Sequence, residues 1–217
     1  MNQLQYFWVI KMKRWLIYIL GIQFLAMGII CNTRTGLGVA AFTSLFYALS
    51  EIYNISLGMG SILLYFILII IQIILLRKLT LSVVMQIPFS FVFGYITDFY
   101  DYFIPFHHLT IYQSFLLLMV GFVLTSLGVY MTVQCNIVVT PVEGIVNTIS
   151  QVFEIDFSLV KNMFDVSMVC LTIMMCLILR KPIIGIGIGT ILSALFIGRM
   201  ISIYQKKFVL FKKEFVI

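Results

Sequence analysis

Six long apolar runs dominate this sequence and constrain its fold more than any other feature. They cover residues 15–31, 57–76, 81–97, 111–132, 157–179 and 183–203. A helix needs roughly 20 apolar residues to cross a hydrocarbon core of about 30 Å. Hydrophobic residues make up 62% of the chain and charged residues only 10%, which is far from the composition of soluble domains. The sequence therefore predicts an all-α, polytopic membrane helix bundle that forms one domain over residues 1–217.

Two shorter helical segments, 39–53 and 140–153, lie between these runs. In the second, Thr140 at the N-cap, Pro141 at N1 and Glu143 at N3 predict a capping box. About fourteen residues rise roughly 20 Å, which is too short for a membrane crossing. The sequence leaves open whether the short segments dip into the membrane or cross it, and whether Glu143 does more than cap its helix.

The two halves of the chain follow one plan. A shift of 100 positions places Gly28 on Gly128 and aligns residues 49–53 with 149–153. The order and the lengths of the runs also agree. We therefore predict an internal duplication in which each copy has three transmembrane helices and one half-length helix. The predicted repeats span residues 15–103 and 111–204.

Basic residues predict the orientation of the chain. Clusters of lysine and arginine precede the first run and follow the last one: Lys11, Lys13, Arg14, Lys206, Lys207, Lys212 and Lys213. The positive-inside rule then places both termini in the cytoplasm and makes the number of crossings even. Six crossings give inverted repeats, with Arg77 inside and Arg180 outside. Eight crossings give parallel repeats and leave more basic residues outside, so we predict six.

The short segments carry the polar residues expected to bind a substrate. Glu143, Asn147 and Gln151 recur every four residues and so line one helical face. A carboxylate at membrane depth is costly and usually faces a polar cavity or a partner. Thr43 and Tyr47 occupy matching positions in the first short segment, and we include both in the candidate site.

Lys161 and Asp165 complete the candidate site, because they lie four residues apart in the run 157–179. An i,i+4 ion pair that neutralises two membrane charges is one interpretation. A functional pair, in which Lys161 contacts a substrate or proton and Asp165 balances its charge, is the other. Gln72 and Gln86 are expected to form hydrogen bonds between helices.

Several functions are not expected from this sequence. It contains no HExxH, GxSxG or Walker motif, so we predict neither an enzyme nor a bound cofactor. The adjacent His107 and His108 are not expected to form a metal site. The net charge of +6 arises mainly at the two ends, so no nucleic-acid partner is expected. The expected partners are the lipid bilayer and an unidentified small molecule, with homo-oligomerisation left open.

Three segments resemble the YczE/YyaS/YitT family of bacterial integral membrane proteins: residues 36–49, 136–150 and 181–198. In that family a span ends in an LGxxP-type turn, an acidic residue follows, and a GIGT segment opens the last helix. By this resemblance Pro141 and Glu143 occupy the proline and acidic positions of the second copy. Ala41 and Thr43 replace them in the first. The resemblance implies a bacterial plasma-membrane protein and names no substrate.

Two functions are compatible with these features. The first is a transporter-like permease that moves a small molecule through a site between the repeats, an arrangement that recurs among transporters with broken or short helices. The alternative is a non-transporting accessory or scaffolding protein that supports the assembly or activity of another membrane protein. A transporter should depend on Glu143, whereas a scaffold should depend on an outer helix face.

Overall fold

The computed structural model describes residues 3–105 and 109–207, and helices dominate them. The helices are α1 (Gln3–Arg34), α2 (Ser44–Tyr53), α3 (Leu57–Leu76), α4 (Leu81–Val84), α5 (Gln86–Phe103), α6 (Ile111–Cys135), α7 (Pro141–Phe153), α8 (Phe157–Ile178) and α9 (Ile188–Lys207). Six segments within these ranges are long and apolar enough to cross a membrane. The predicted polytopic helix bundle is thereby confirmed. His107, His108, Lys212 and Lys213 lie outside the described residues.

Helices α1 and α6 form the most extensive helix contact in the bundle and run antiparallel. Their contacts are reciprocal. A Cβ atom on Gly28 would lie 2.5 Å from the backbone nitrogen of Thr125, and one on Gly128 would lie 2.5 Å from that of Leu25. These two contacts are related by the same shift of 100 positions that aligns the two halves. The contacts of this interface therefore follow an approximate two-fold symmetry, and the duplication itself stays a prediction.

Two arginines of α1 bind the ends of neighbouring helices. The Nη2 atom of Arg14 donates a hydrogen bond to the Cys135 carbonyl at 2.8 Å, at the end of α6. At the C-terminal end of α1, Arg34 forms a 2.7 Å ion pair with Asp101 of α5 and donates to the Ile104 carbonyl. Both arginines thus satisfy carbonyls left free at helix ends.

The two short helices begin differently. Helix α7 starts at Pro141 as predicted, and the Thr140 hydroxyl accepts a hydrogen bond from the Glu143 backbone N–H at 3.3 Å. In the first half, Ala41–Thr43 form a 3₁₀ turn and the α-helix starts only at Ser44. The first short helix was predicted to start near residue 39, which was too early. No side chain caps the 3₁₀ turn or α2.

The last helix also begins later than predicted. Residues 181–187 are not helical and lie against the segment that precedes the 3₁₀ turn. Val39 donates to the Gly185 carbonyl and Gly189 to the Leu37 carbonyl, each at 2.8 Å. A Cβ atom on Gly38 would lie 2.6 Å from the Gly187 nitrogen. Glycine is needed here because the two backbones approach so closely.

Both short helices lie between the same two long helices. Helix α2 packs against α3 and α8, and helix α7 also packs against α3 and α8. Each short helix therefore contacts one long helix of its own half and one of the other half. This arrangement brings the first turns of α2 and α7 into the interior of the bundle.

Candidate functional site

A pair of buried amides anchors the first turn of α7. The Nε2 atom of Gln72 donates to Gln86 Oε1 at 2.9 Å, and the Nε2 atom of Gln86 donates back at 3.1 Å. Their exposed fractions are 1% and 2%. Gly144 packs directly on this pair, and the Pro141 carbonyl accepts a 3.4 Å hydrogen bond from Gln72. The predicted interhelical bonding of these glutamines is confirmed.

A hydroxyl pair holds the first turn of α2 in a related way. The oxygens of Ser44 and Thr172 are 3.0 Å apart and both residues are fully buried. The contact joins α2 to α8, whereas the contact of Gly144 with Gln72 joins α7 to α3. A shift of 100 positions relates the two contacts, because it places Ser44 on Gly144 and Gln72 on Thr172. The interior ends of both short helices are therefore fixed by buried polar contacts to the opposite half.

The Glu143 carboxylate is buried, and its own backbone N–H, in the first turn of α7, lies within hydrogen-bonding reach of it. The residue is 8% exposed, and the structure lacks the bond back to the Thr140 N–H that would complete the predicted capping box. No other residue that the structure describes donates a hydrogen bond to this carboxylate. Glu143 lies outside the six candidate spans. Burial raises the pKa of its carboxyl, and the positive charge of Lys161 acts in the opposite direction.

The predicted ion pair on α8 is confirmed and lies near Glu143. Lys161 Nζ is 2.7 Å from Asp165 Oδ1. The same ammonium lies 5.1 Å from the centre of the Phe42 ring and 5.6 Å from that of Phe164. Because Phe42 belongs to the 3₁₀ turn that precedes α2, both short helices begin close to Lys161.

Tyr65 of α3 completes this group of residues. It is 1% exposed and close enough to Glu143 for the two groups to interact electrostatically. We call Tyr65, Glu143, Lys161 and Asp165 the polar centre. The sequence prediction missed Tyr65, although it stands 100 positions before Asp165 and interrupts an otherwise apolar run. It also missed the aromatic neighbours of Lys161, because nothing local relates residue 42 to residue 161.

The remaining predicted site residues lie apart from Glu143 or bond locally. Thr43 is buried and donates to the Ala40 carbonyl at 2.7 Å. Tyr47 lines a separate cavity of about 130 Å³ beside Gly38 and Gly185. Asn147 and Gln151 are exposed and hydrogen-bond to each other at 3.3 Å. Of the polar stripe on α7, only Glu143 reaches the polar centre. Within the described residues no cluster of metal-ligating side chains is present.

The fold and the site together define a class of protein. It is a multi-pass integral membrane helix bundle with a partly buried polar centre where two half-length helices begin. The sequence matches a protein family described as a family of unknown function, DUF6198, over residues 12–206. The chain belongs to this family. No curated protein and no solved structure matches it.

Proposed function

We propose that this protein is a transporter-like permease that moves a small molecule across the membrane through the polar centre. The observation that carries the proposal is the Glu143 carboxylate, which is 8% exposed and receives no hydrogen bond from another described residue. Lys161 and Asp165 of the neighbouring helix α8 lie close enough to interact with it electrostatically. Ionisable groups buried at membrane depth are costly and typically mark binding sites or ion pathways.

The architecture supports the same function. Transporters built from inverted repeats bind their substrates near the middle of the membrane, where discontinuous helices begin. Here α7 has 13 residues and α2 has 10, so neither is long enough to span the bilayer. Their positive N-terminal ends lie near Lys161 and add to the electrostatic field there. We therefore propose that both short helices are re-entrant and that the chain crosses the membrane six times.

The cellular setting is part of the proposal. The basic residues at both ends favour cytoplasmic termini under the positive-inside rule. The resemblance of residues 36–49, 136–150 and 181–198 to the YczE/YyaS/YitT family favours a bacterial plasma membrane. The antiparallel packing of α1 and α6 favours two halves of opposite orientation.

A ligand screen on the purified protein tests this function. A small molecule that binds only the folded state at 100 times its Kd should stabilise the protein by about 2.7 kcal/mol. We expect Glu143→Gln to weaken that binding at least tenfold, because the substitution removes a charge from the polar centre. Thermal unfolding with and without each ligand measures the effect.

The matched control for this experiment is Glu51→Gln. Glu51 is an exposed glutamate on the other short helix, α2, so the same chemical change there should leave ligand binding intact. A ligand that stabilises Glu143→Gln as well as the parent protein would show that its site lies elsewhere. A complete screen without any binder would remove the main support for transport.

A second candidate function is an accessory or scaffolding role, and one observation favours it. Only 22% of the apolar window of α8 and 22% of that of α9 is buried, compared with 61% for α1. Beside α8 an apolar groove of about 330 Å³ is lined by Leu171 and Ile178. A scaffold should lose function when Ile178→Trp fills this groove, whereas a transporter should keep its substrate affinity.

A further inference from the structure

The ammonium group of Lys161 occupies a box made of two aromatic rings and one carboxylate. We propose that this box, formed by Phe42, Phe164 and Asp165, binds the ammonium group of a small organic amine and that Lys161 fills it when no substrate is present. The inference rests on the proposed transport function and names the class of its substrate.

The contacts of Lys161 are those expected for a bound alkylammonium ion. Its Nζ atom is 2.7 Å from the Asp165 carboxylate, a charge-assisted hydrogen bond. It also lies 5.1 Å and 5.6 Å from the ring centres of Phe42 and Phe164, within the range of cation–π attraction. Phe42 and Phe164 are each 7% exposed. The box is therefore a largely dry surface that fits an ammonium group with an apolar stem.

The side chains of the polar centre carry more negative than positive charge, which favours a cationic substrate, and the partial positive charges at the starts of α2 and α7 reduce this excess. Two acidic side chains, Glu143 and Asp165, lie close to one ammonium group, that of Lys161, which pairs with Asp165. An anion would bring a third negative charge to this group. An amine that replaced Lys161 at Asp165 would instead release Lys161 toward Glu143, whose carboxylate it already influences. Each carboxylate would then have its own cation.

The ion pair is open enough to be exchanged. The side chains of Lys161 and Asp165 keep 26% and 18% of their surfaces exposed, although the neighbouring Glu143 is buried. The ion pair is therefore not fully enclosed by the other described helices. The two phenyl rings favour an alkylammonium ion over an alkali ion, because rings provide cation–π contact but no oxygen ligands.

Chemical rescue of a lysine-free variant tests this proposal. Lys161→Ala keeps Cβ and lacks the three remaining carbons and the nitrogen, so n-propylammonium replaces the missing atoms. We expect n-propylammonium chloride to raise the unfolding temperature of purified Lys161→Ala saturably. It should bind this variant at least tenfold more tightly than the parent, in which Lys161 competes. Lys206→Ala, which removes an exposed lysine at the end of α9, is the control and should behave like the parent.

Several outcomes would overturn the proposal. Sodium or potassium chloride at the same concentration should not reproduce the rescue, and equal rescue would indicate a general effect of monovalent salt. Rescue that persists in the double variant Lys161→Ala/Asp165→Asn would place the amine elsewhere.

A second comparison applies if Lys161→Ala fails to fold. Binding of n-propylammonium to the parent and to Phe42→Leu is then measured, and the amine should bind Phe42→Leu at least tenfold more weakly. Equal binding to these two proteins would also reject the box.

The rescue experiment and the ligand screen test the two proposals separately, so one proposal can be contradicted while the other stands. Rescue measures binding of an amine at one box and needs no transport. A ligand from the screen that depends on Glu143 and contains no amine would leave the permease proposal standing and contradict the substrate class. Rescue without any transported amine would support the box and contradict the permease.

Discussion

Replacing Gly28 by leucine is expected to prevent the chain from accumulating as a folded, monodisperse protein. A Cβ atom at this position would lie 2.5 Å from the backbone nitrogen of Thr125, and a backbone atom inside a helix cannot rotate away. The added side chain would have to push α1 and α6 apart along their shared interface. Overpacking a core costs about 1–3 kcal/mol, and we expect a loss of at least about 3 kcal/mol here.

Gly198→Leu is the matched control for this substitution. Gly198 also lies in a membrane-spanning helix, α9, but a Cβ atom there would meet nothing within 4 Å. Its effect on stability should stay within about 0.5 kcal/mol, as for other open sites. Fluorescence-detected size exclusion and thermal unfolding measure both variants. A monodisperse Gly28→Leu as stable as Gly198→Leu would contradict the close packing of α1 on α6.

The second large effect is expected at the Gln72–Gln86 pair. Gln86 is 2% exposed, and its side-chain amide exchanges two hydrogen bonds with Gln72. Gln72→Leu should remove both of these hydrogen bonds and leave the Gln86 amide buried. A buried polar group left unsatisfied costs about 1–3 kcal/mol, so each single leucine variant should be destabilised by about that amount. The double variant removes both amides and should recover most of the loss.

A double-mutant cycle measures this recovery. Unfolding free energies of the parent, Gln72→Leu, Gln86→Leu and the double variant give a coupling energy, which we expect to be on the order of 1 kcal/mol or more. Hydrogen bonds between membrane helices are not reliably stronger than those in water, so the sign and the recovery are the informative results. Additive losses would show that the two amides do not depend on each other.

The sequence predicted the parts of this fold that depend on local pattern. Apolar runs of sufficient length predicted the six spans, because a soluble domain of this size could not bury so much apolar surface. Thr140 and Pro141 predicted the start of α7, and the spacing of Lys161 and Asp165 predicted their ion pair. Each of these features depends on residues close together in the chain.

The sequence could not predict contacts made between its two halves. Lys161 lies beside Phe42, and Gly144 lies on the pair Gln72–Gln86, because α2 and α7 each pack against both α3 and α8. No periodicity within one helix indicates such neighbours. The late start of α9 was missed for the same reason, since residues 181–187 find their hydrogen-bond partners near Val39.

The structure brings together only some of the predicted site residues. A four-residue stripe on α7 suggested that Glu143, Asn147 and Gln151 would act together. Since α7 points from the interior toward the edge of the bundle, residues 141–146 and Thr148 are buried, whereas Asn147 and residues 151–153 are exposed. The stripe therefore runs from a buried carboxylate to two exposed amides. A helical pattern reveals a shared face but not how deep each residue of that face lies.

The two halves are expected to enter the membrane in opposite directions, which brings two half-length helices together at one polar centre. Arg77 and Arg180 test it most directly. Both are exposed, both follow the end of a long helix, and both have a left-handed backbone with φ of 50°. They occupy equivalent positions in the predicted repeats, so they form a matched pair.

The measurement is the accessibility of a single cysteine placed at residue 77 or at residue 180. Cys170 is the exposed native cysteine among the described residues and is first replaced by serine, while Cys31, Cys135 and Cys176 are buried. In intact cells a membrane-impermeant maleimide should label Arg180→Cys and spare Arg77→Cys, which should react only after the membrane is opened. Labelling of both positions from the same side would contradict inverted halves and, with them, the shared polar centre.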